Sequence, residues 1–194
     1  MTTQPSRIEF NLPDWIADYA GDGRVITGNG QRMDFVIQAS RLNIEHDTGG
    51  PFAAAVFERD SGRLVSLGVN LVMSLEASIL HAEIVALTLA QQQTGAYDLG
   101  AARLPRHELV SSAEPCAMCI GALAWSGIVR VVTGATDGDA RGIGFDEGPK
   151  PADWRNALES REIEVVTEFR RQRAAAVLSE YIDRGGHIYN SREG

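Results

Sequence analysis

The amino-acid sequence predicts a single α/β domain built on one mixed β-sheet with helices on both faces. Two short apolar strands separated by a turn come first, and helical and strand patterns then alternate. A hairpin followed by such an alternation is typical of a sheet covered by helices on both sides. Strands that are joined by helical crossovers are expected to run parallel. The length of 194 residues suits one compact core.

The first half of the chain contains the predicted hairpin. A helix is predicted over residues 33–44, where apolar side chains recur on one helical face, and residues 49–51 (Gly-Gly-Pro) end it. Strands are predicted at 53–58 and 64–69, and the Asp-Ser-Gly sequence at 60–62 between them is typical of a hairpin turn.

The second half alternates helices with strands. Helices are predicted at 81–92 and 116–125, and both are apolar on most sides, which indicates burial between other elements. The remaining predicted elements are a strand at 108–112, a strand at 128–134, a helix at 152–160, a strand at 163–167 and a helix at 169–184.

Composition favours a small ligand over a polyanion. The formal net charge is -8, whereas binding of long nucleic acids usually needs a basic surface that neutralises phosphates. The basic cluster of Arg170, Arg171 and Arg173 is typical of the solvated face of an amphipathic helix. We therefore expect a small-molecule substrate and no long nucleic acid as partner.

The same sequence predicts a cytoplasmic protein that does not enter a membrane. No apolar run approaches the roughly 20 residues that a membrane-spanning helix needs. Residues 1–14 are polar and lack the basic start and apolar stretch of a signal peptide.

Two cysteines and one histidine form a candidate metal site. Cys116 and Cys119 are the two cysteines of the chain, and a spacing of three residues on a helix lets both face one ion. His81 and Cys116 both lie at predicted helix N-termini, whose positive end favours the thiolate that metal binding requires. Two thiolates and one imidazole suit Zn²⁺, and three protein ligands leave a fourth position for water.

Glu83 adds a proton carrier to this site. It lies two residues after His81 in the same predicted helical turn, where it can reach a water beside the metal without ligating the ion. A carboxylate there can take a proton from water and deliver it to a ring nitrogen and then to a leaving amine. The set is complete for hydrolytic deamination.

Two other interpretations of the cysteine pair are weaker. A thioredoxin-like redox pair also begins a helix, but it gives no role to His81 or Glu83. A structural zinc site normally has four protein ligands, and no third cysteine exists. The other histidines (His46, His107 and His187) have no ligand-like spacing and are expected to be ordinary surface or core residues.

The motif His81-Ala82-Glu83 followed by Pro115-Cys116-Ala117-Met118-Cys119 resembles the signature of zinc nucleobase deaminases. The chain looks like a member of the cytidine and deoxycytidylate deaminase superfamily. That resemblance implies a three-layer α/β/α sandwich with a five-stranded mixed sheet, zinc between two helix N-termini, and Glu83 as proton shuttle.

Within that superfamily the sequence is most similar to bacterial guanine deaminases. The similar segments are Gly50-Pro51-Phe52-Ala53-Ala54, Gly68-Val69-Asn70, His81-Ala82-Glu83-Ile84, Ser112-Ala113-Glu114-Pro115-Cys116, Gly144-Phe145-Asp146-Glu147-Gly148-Pro149 and Ile188-Tyr189-Asn190. The resemblance implies guanine deamination to xanthine and ammonia, and ammeline-like s-triazines are further candidate substrates because they offer a similar amino-oxo edge.

The resemblance also implies roles for five further residues. Phe52 would hold the ring, Asn70 would hydrogen-bond its polar edge, and the Ala82 backbone N–H would meet the ring carbonyl. Glu147 would be a second catalytic acid, and Tyr189 would reach a pocket of a neighbouring subunit. Each has a plainer alternative, such as a core phenylalanine, a turn asparagine or a solvated loop acid. Some relatives carry aspartate in the second acidic role, so the neighbouring Asp146 stays open as an alternative to Glu147.

The predicted domain organisation is one deaminase domain over residues 1–194. Residues 1–32 are expected to be an N-terminal extension, in which Trp15 and Tyr19 suggest packing onto the domain. Residues 185–194 are expected to be a tail that reaches the partner in a homodimer. Alternative functions are a tRNA adenosine deaminase, a cytosine or nucleoside deaminase, and an inactive binding or regulatory subunit.

Overall fold

The computed structural model describes residues 8–192 and contains a five-stranded mixed sheet between two layers of helices. The strands are β1 (Ala53–Glu58), β2 (Leu64–Val69), β3 (His107–Ala113), β4 (Arg130–Ala135) and β5 (Glu164–Val166). The helices are α1 (Trp15–Ala20), α2 (Asn29–Glu45), α3 (Ala82–Thr94), α4 (Ala117–Ser126), α5 (Asp137–Gly142), α6 (Trp154–Glu159) and α7 (Arg171–Asp183).

The sheet has the strand order β2-β1-β3-β4-β5. Strand β1 is antiparallel to both β2 and β3, whereas β4 is parallel to β3 and β5 is parallel to β4. The predicted hairpin, the parallel second half and the three-layer α/β/α sandwich are therefore confirmed. Because β3 and β4 are parallel, their carboxyl ends meet at one edge of the sheet, which is where the candidate site lies.

Two apolar cores form, one on each face of the sheet. On β1, Ala53, Ala55 and Phe57 belong to the core with α2 and α7, while Ala54 and Val56 belong to the core with α3, α4 and α6. This alternation follows the two-residue period of a strand. Burial on both faces explains why β1 has no polar residue before Glu58.

The N-terminal region contains structure that apolar periodicity did not predict. Helix α2 begins at Asn29, inside the predicted extension of residues 1–32, and α1 precedes it. The predicted packing of Trp15 and Tyr19 is present: the indole Nε1 of Trp15 donates to Thr48 Oγ1 at 3.1 Å, and Tyr19 stacks on Phe35. Residues 1–7 of the extension lie outside the described residues.

No helix within residues 8–192 is both long enough and apolar enough to cross a membrane.

A buried ion-pair network joins α2 to the sheet. Glu108, whose side chain is 1% exposed, accepts from Arg32 Nη1 at 2.6 Å and pairs with Arg130 Nη1 at 3.0 Å. Arg130 also contacts Glu164 on the neighbouring strand, and that side chain is 46% exposed. Removing one member of a buried network leaves an uncompensated charge, which is the costly case for buried ion pairs.

We expect Glu108→Gln to lower the free energy of unfolding by about 3–5 kcal/mol, because the buried Arg32 guanidinium loses its anion. Glu164→Gln is the matched control, since it removes an exposed partner of Arg130 and should cost less than about 1 kcal/mol. Urea unfolding followed by circular dichroism measures both. If the two substitutions lowered the free energy of unfolding equally, the buried ion pair of Glu108 would not be more stabilising than an exposed one.

Candidate metal centre and substrate pocket

Two helix N-termini place the predicted metal ligands opposite each other. His81 is the N-cap of α3 and Cys116 is the N-cap of α4, and both residues have extended backbone conformations. Cys119 is buried in the first turn of α4. Both helices therefore direct their positive ends at the same point, which favours anionic ligands there.

The three side chains form a compact donor group. The Sγ atom of Cys116 lies 3.4 Å from Nδ1 of His81. One donor atom each from His81, Cys116 and Cys119 lies within 4.8 Å of the others, and within residues 8–192 this is the group that could hold a metal ion. Two thiol sulfurs and one imidazole nitrogen are the donor types that zinc prefers, so the residues fit the ion.

The electrostatics of the group favour a thiolate. The pKa of Cys116 is lowered to about 4, first by the hydrogen bond from Cys119 and then, against the opposing effect of burial, by the hydrogen bond from His81. The hydrogen bond with the Cys116 sulfur, followed by burial, raises the pKa of Cys119 well above its ordinary value. One thiol is thus prepared to bind as an anion, and the second is expected to lose its proton when metal binds.

Glu83 lies beside the donor group without belonging to it. Its carboxylate is buried, and it accepts from Ser111 Oγ and from Cys119 Sγ, each at 3.5 Å. Burial and the negative charge of Cys116 raise the pKa of Glu83 above its ordinary value. A carboxyl group with a raised pKa is suited to accepting and returning a proton near neutral pH.

A pocket adjoins the donor group and contains every predicted substrate residue. His81, Glu83 and Cys116 form part of its wall. The predicted substrate residues on the wall are Phe52, Asn70, Ala82, Glu147 and Tyr189. The structure therefore brings the predicted substrate residues and the donor group together from six separate segments of the chain.

Asn70 is held in a defined orientation at this pocket. It is 1% exposed, and its Oδ1 accepts from the Val72 backbone N–H at 3.2 Å. Its backbone carbonyl accepts from Asn43 Nδ2 at 3.0 Å, and the same amide group also donates to the Gly50 carbonyl. With its oxygen occupied, Asn70 is oriented to offer its amide N–H₂ as a donor to a ligand.

The neighbouring acids Glu147 and Asp146 differ in side-chain burial. Glu147 is buried, with 8% exposure, whereas the Asp146 side chain is 58% exposed and accepts from the Gly148 backbone N–H. Burial, followed by the charges of Cys116 and Glu83, raises the pKa of Glu147 to about 8. Both acids line the pocket, and Glu147 is the one of the two whose side chain is buried.

The C-terminal tail lies across the pocket of its own chain. The Asn190 side chain accepts from the Asp146 N–H at 2.8 Å and donates to the Gly144 carbonyl at 2.9 Å. The Tyr189 hydroxyl is buried and has no hydrogen-bond partner among residues 8–192. A Cβ at Gly50 would lie 2.2 Å from that hydroxyl oxygen, so any larger residue there would displace the Tyr189 side chain. The proposed reach of the tail into a partner subunit stays a prediction, and residues 193–194 lie outside the described residues.

Several pocket and supporting residues were missed by sequence reasoning. Phe145 meets Phe52 and Tyr189 edge-on at centroid distances of 5.0 and 4.9 Å. Glu114, next to the metal motif, is buried and ion-paired. Both occur in segments that resemble the family, and that was the available signal. Asn43 and Asn190 were not assigned, and the contacts that reveal their roles are with Asn70 and Gly144, 27 and 46 positions away in sequence.

Comparison with known proteins agrees with this geometry. Residues 30–135 match the family model described as the cytidine and deoxycytidylate deaminase zinc-binding region. The guanine deaminase of Bacillus subtilis (strain 168) is 34% identical over 113 residues, covering 55% of this chain and 68% of that protein. A tRNA-specific adenosine deaminase of Agrobacterium fabrum is 31% identical over 120 residues, covering 58% of this chain and 76% of that protein.

Solved structures resemble nearly the whole chain. The guanine deaminase from Nitrosomonas europaea is 46% identical, with a TM-score of 0.88 over 93% of this chain and 98% of that chain. The structure of NE0047 in complex with 2,6-diaminopurine is 48% identical, with a TM-score of 0.89 over 95% of this chain and 97% of that chain.

The sandwich and the donor group together define a zinc-binding deaminase. The chain belongs to the cytidine and deoxycytidylate deaminase family, and within it the guanine deaminases are among its similar relatives.

Proposed function

We propose that the chain catalyses the hydrolytic deamination of free guanine, giving xanthine and ammonia. The observation that carries the proposal is the second buried carboxyl group, Glu147, in the same pocket as Glu83. Guanine presents N–H groups at N1, at N9 and on the C2 amine, and a carboxyl group keeps an oxygen that can accept from such donors whether it is ionised or protonated. The similarity to two guanine deaminases supports the same substrate.

His81, Cys116 and Cys119 would hold the zinc. The ion, when bound, supplies Lewis acidity that makes water a better nucleophile near neutral pH. Glu83 would take a proton from the attacking water and pass it to the ring nitrogen N3 of guanine. It would then deliver the second proton to the amine at C2, which leaves as ammonia. Burial of Glu83 keeps bulk water away from these transfers.

Four residues would orient the base. Phe52 would pack against the ring, and the Asn70 amide would donate to an acceptor on its polar edge. The Ala82 backbone N–H, in the first turn of α3, has no acceptor within the helix and would donate to the ring carbonyl. Glu147 would accept from ring N–H groups and assist Glu83 in proton transfer. Ammeline offers a similar amino-oxo edge and is a candidate second substrate.

The closest rival is deamination of adenosine in tRNA. The net charge of -8 disfavours an RNA partner, because RNA binding relies on phosphate neutralisation. Because the tail residues Tyr189 and Asn190 form part of the pocket wall, we expect the pocket to favour a free base over a polynucleotide. Deamination of cytosine or a nucleoside is a further alternative. An inactive subunit is disfavoured by the complete set of three ligands and Glu83.

An assay of ammonia release by the zinc-loaded protein tests the proposed substrate. The panel contains guanine, ammeline, cytosine, cytidine, guanosine, adenine and a tRNA anticodon stem. We expect the highest kcat/KM with guanine. Activity on the tRNA stem alone, or on cytosine or cytidine alone, would overturn the assignment.

The two neighbouring acids provide a matched pair of variants. We expect Glu147→Gln to lower kcat/KM on guanine by about 10²-fold, because a buried proton carrier and acceptor is lost. Asp146→Asn should remain within about fivefold of wild type, since exposed pairs contribute at most about 1 kcal/mol. Steady-state kinetics at pH 7 measure both. The reverse ranking would assign the second acidic role to Asp146.

A further inference from the structure

Lys150 is the only lysine of the chain, and the other members of its 18 lysine and arginine residues are all arginine. Its side chain is 8% exposed, which is unusual for a lysine. It ends the segment of residues 143–150 that carries Glu147, here called the Glu147 loop. A buried ammonium group is expected to be paired with an anion, and the partners of Lys150 show which elements it connects.

The ammonium group connects the loop to the ends of two central strands. Its Nζ atom lies 2.9 Å from Glu114 Oε2 and 3.6 Å from Asp137 Oδ1. Glu114 directly follows β3, and Asp137 begins α5 two residues after β4. The same nitrogen lies 4.9 Å from the centroid of the Trp154 ring, which favours a cation over its face.

Contacts along the loop lead from this anchor to Glu147. The Lys150 backbone N–H donates to the Gly148 carbonyl at 2.8 Å, and Arg141 Nη2 donates to the same carbonyl at 3.0 Å. The Glu147 carbonyl accepts from the Ala117 N–H at 3.0 Å, in the first turn of α4. The loop is therefore bonded to the helix that carries both cysteines, and Lys150 secures the loop's end beside it.

We propose that Lys150 is a positioning residue that holds the Glu147 loop against the carboxyl ends of β3 and β4. The inference rests on the proposed role of Glu147 in the pocket. Lysine suits the place because its ammonium is a compact point charge, which can sit between Glu114, Asp137 and the Trp154 ring. Arginine, used everywhere else in the chain, presents a larger planar fork that cannot occupy the same point.

Arg155 offers a matched control. It also pairs with Glu114, at 3.3 Å, and it also lies over the Trp154 ring. Its side chain is 49% exposed, and it belongs to α6, outside the Glu147 loop. Removing Arg155 therefore takes a cation from the same carboxylate and the same ring without releasing the loop.

The test compares Lys150→Arg, Lys150→Met and Arg155→Met by kinetics, zinc content and hydrogen exchange. We expect both Lys150 variants to keep zinc and to lose activity. The loss in kcat/KM should be about tenfold for Lys150→Arg and up to about 10²-fold for Lys150→Met, as for a displaced catalytic group. Exchange should accelerate in residues 143–150 but not in β3 or α3. Arg155→Met should match wild type in all three measurements.

Wild-type kcat/KM in Lys150→Arg would overturn the proposal, because charge neutralisation alone would then explain the lysine. Unchanged exchange of the loop in both Lys150 variants would overturn it as well. If Lys150→Met does not fold, Lys150→Arg, which keeps the charge, carries the test. Rates are measured on whichever base the wild-type protein deaminates, and exchange needs no substrate. Failure on guanine therefore refutes the proposed function and leaves the test of Lys150 intact.

Discussion

Substitution of Glu83 by glutamine is expected to lower kcat by about 10³–10⁴-fold while the zinc content stays at the wild-type level. Glutamine keeps the shape of the side chain but cannot accept or return a proton. Glu83 lies beside Cys119 and Ser111 and outside the donor group, so the ligands should be unaffected. Steady-state kinetics with metal analysis of the same preparation measures both quantities.

The control for this variant is Glu159→Gln, the same chemical change at an exposed position on α6. It should leave both kcat and zinc content at wild-type values. Loss of zinc from the Glu83→Gln protein would indicate that Glu83 supports metal binding, and it would count against the shuttle role. Retained turnover would remove that role altogether.

The second large effect is expected from Cys116→Ala, which should abolish zinc binding and activity together and destabilise the fold. Metal binding is linked to folding, because the unfolded chain offers no preformed donor group. With free zinc at about 1,000 times its Kd, loss of binding removes about 4 kcal/mol of stability. For a chain of this size that corresponds to a fall in Tm of roughly 10 °C.

Met118→Ala is the matched control, since Met118 lies between the two cysteines and is 37% exposed. It should keep zinc and activity. Chelation of zinc from the wild-type protein should lower its Tm to about that of Cys116→Ala, as measured by calorimetry. A Cys116→Ala protein that is stable, active and free of metal would refute the candidate metal centre.

The parts of the fold that sequence predicted well are those with strong local signals. Strands 53–58 and 64–69 were predicted with the bounds that the structure has, because glycine and proline precede the first and the turn sequence at 60–62 lies between them. Helices α1 and α5 have six residues and one buried residue each, so no apolar periodicity develops, whereas the equally short α6 buries Trp154 and Leu158 four positions apart. Helix α5 begins instead with a capping box between Thr136 and Asp139, which is a hydrogen-bond signal.

The candidate site also has parts that local sequence signals predict and parts that they do not. The donor types of His81, Cys116 and Cys119 and their helix positions are local properties, so the sequence indicated the zinc site directly. Which of Asp146 and Glu147 faces inward depends on how the loop is anchored to α4, and sequence cannot distinguish neighbours in an irregular segment. The anchor at Lys150 was missed for a related reason, since its partner Glu114 lies 36 positions away.

The most direct test of the account is the reaction of guanine with the zinc-loaded protein in water enriched with ¹⁸O. Hydrolysis at C2 replaces the amine by an oxygen from water, so we expect xanthine carrying one ¹⁸O atom, with one ammonia released per xanthine. Mass spectrometry of the product and an ammonia assay measure the two quantities. Unconsumed guanine, or xanthine without the label, would contradict the account.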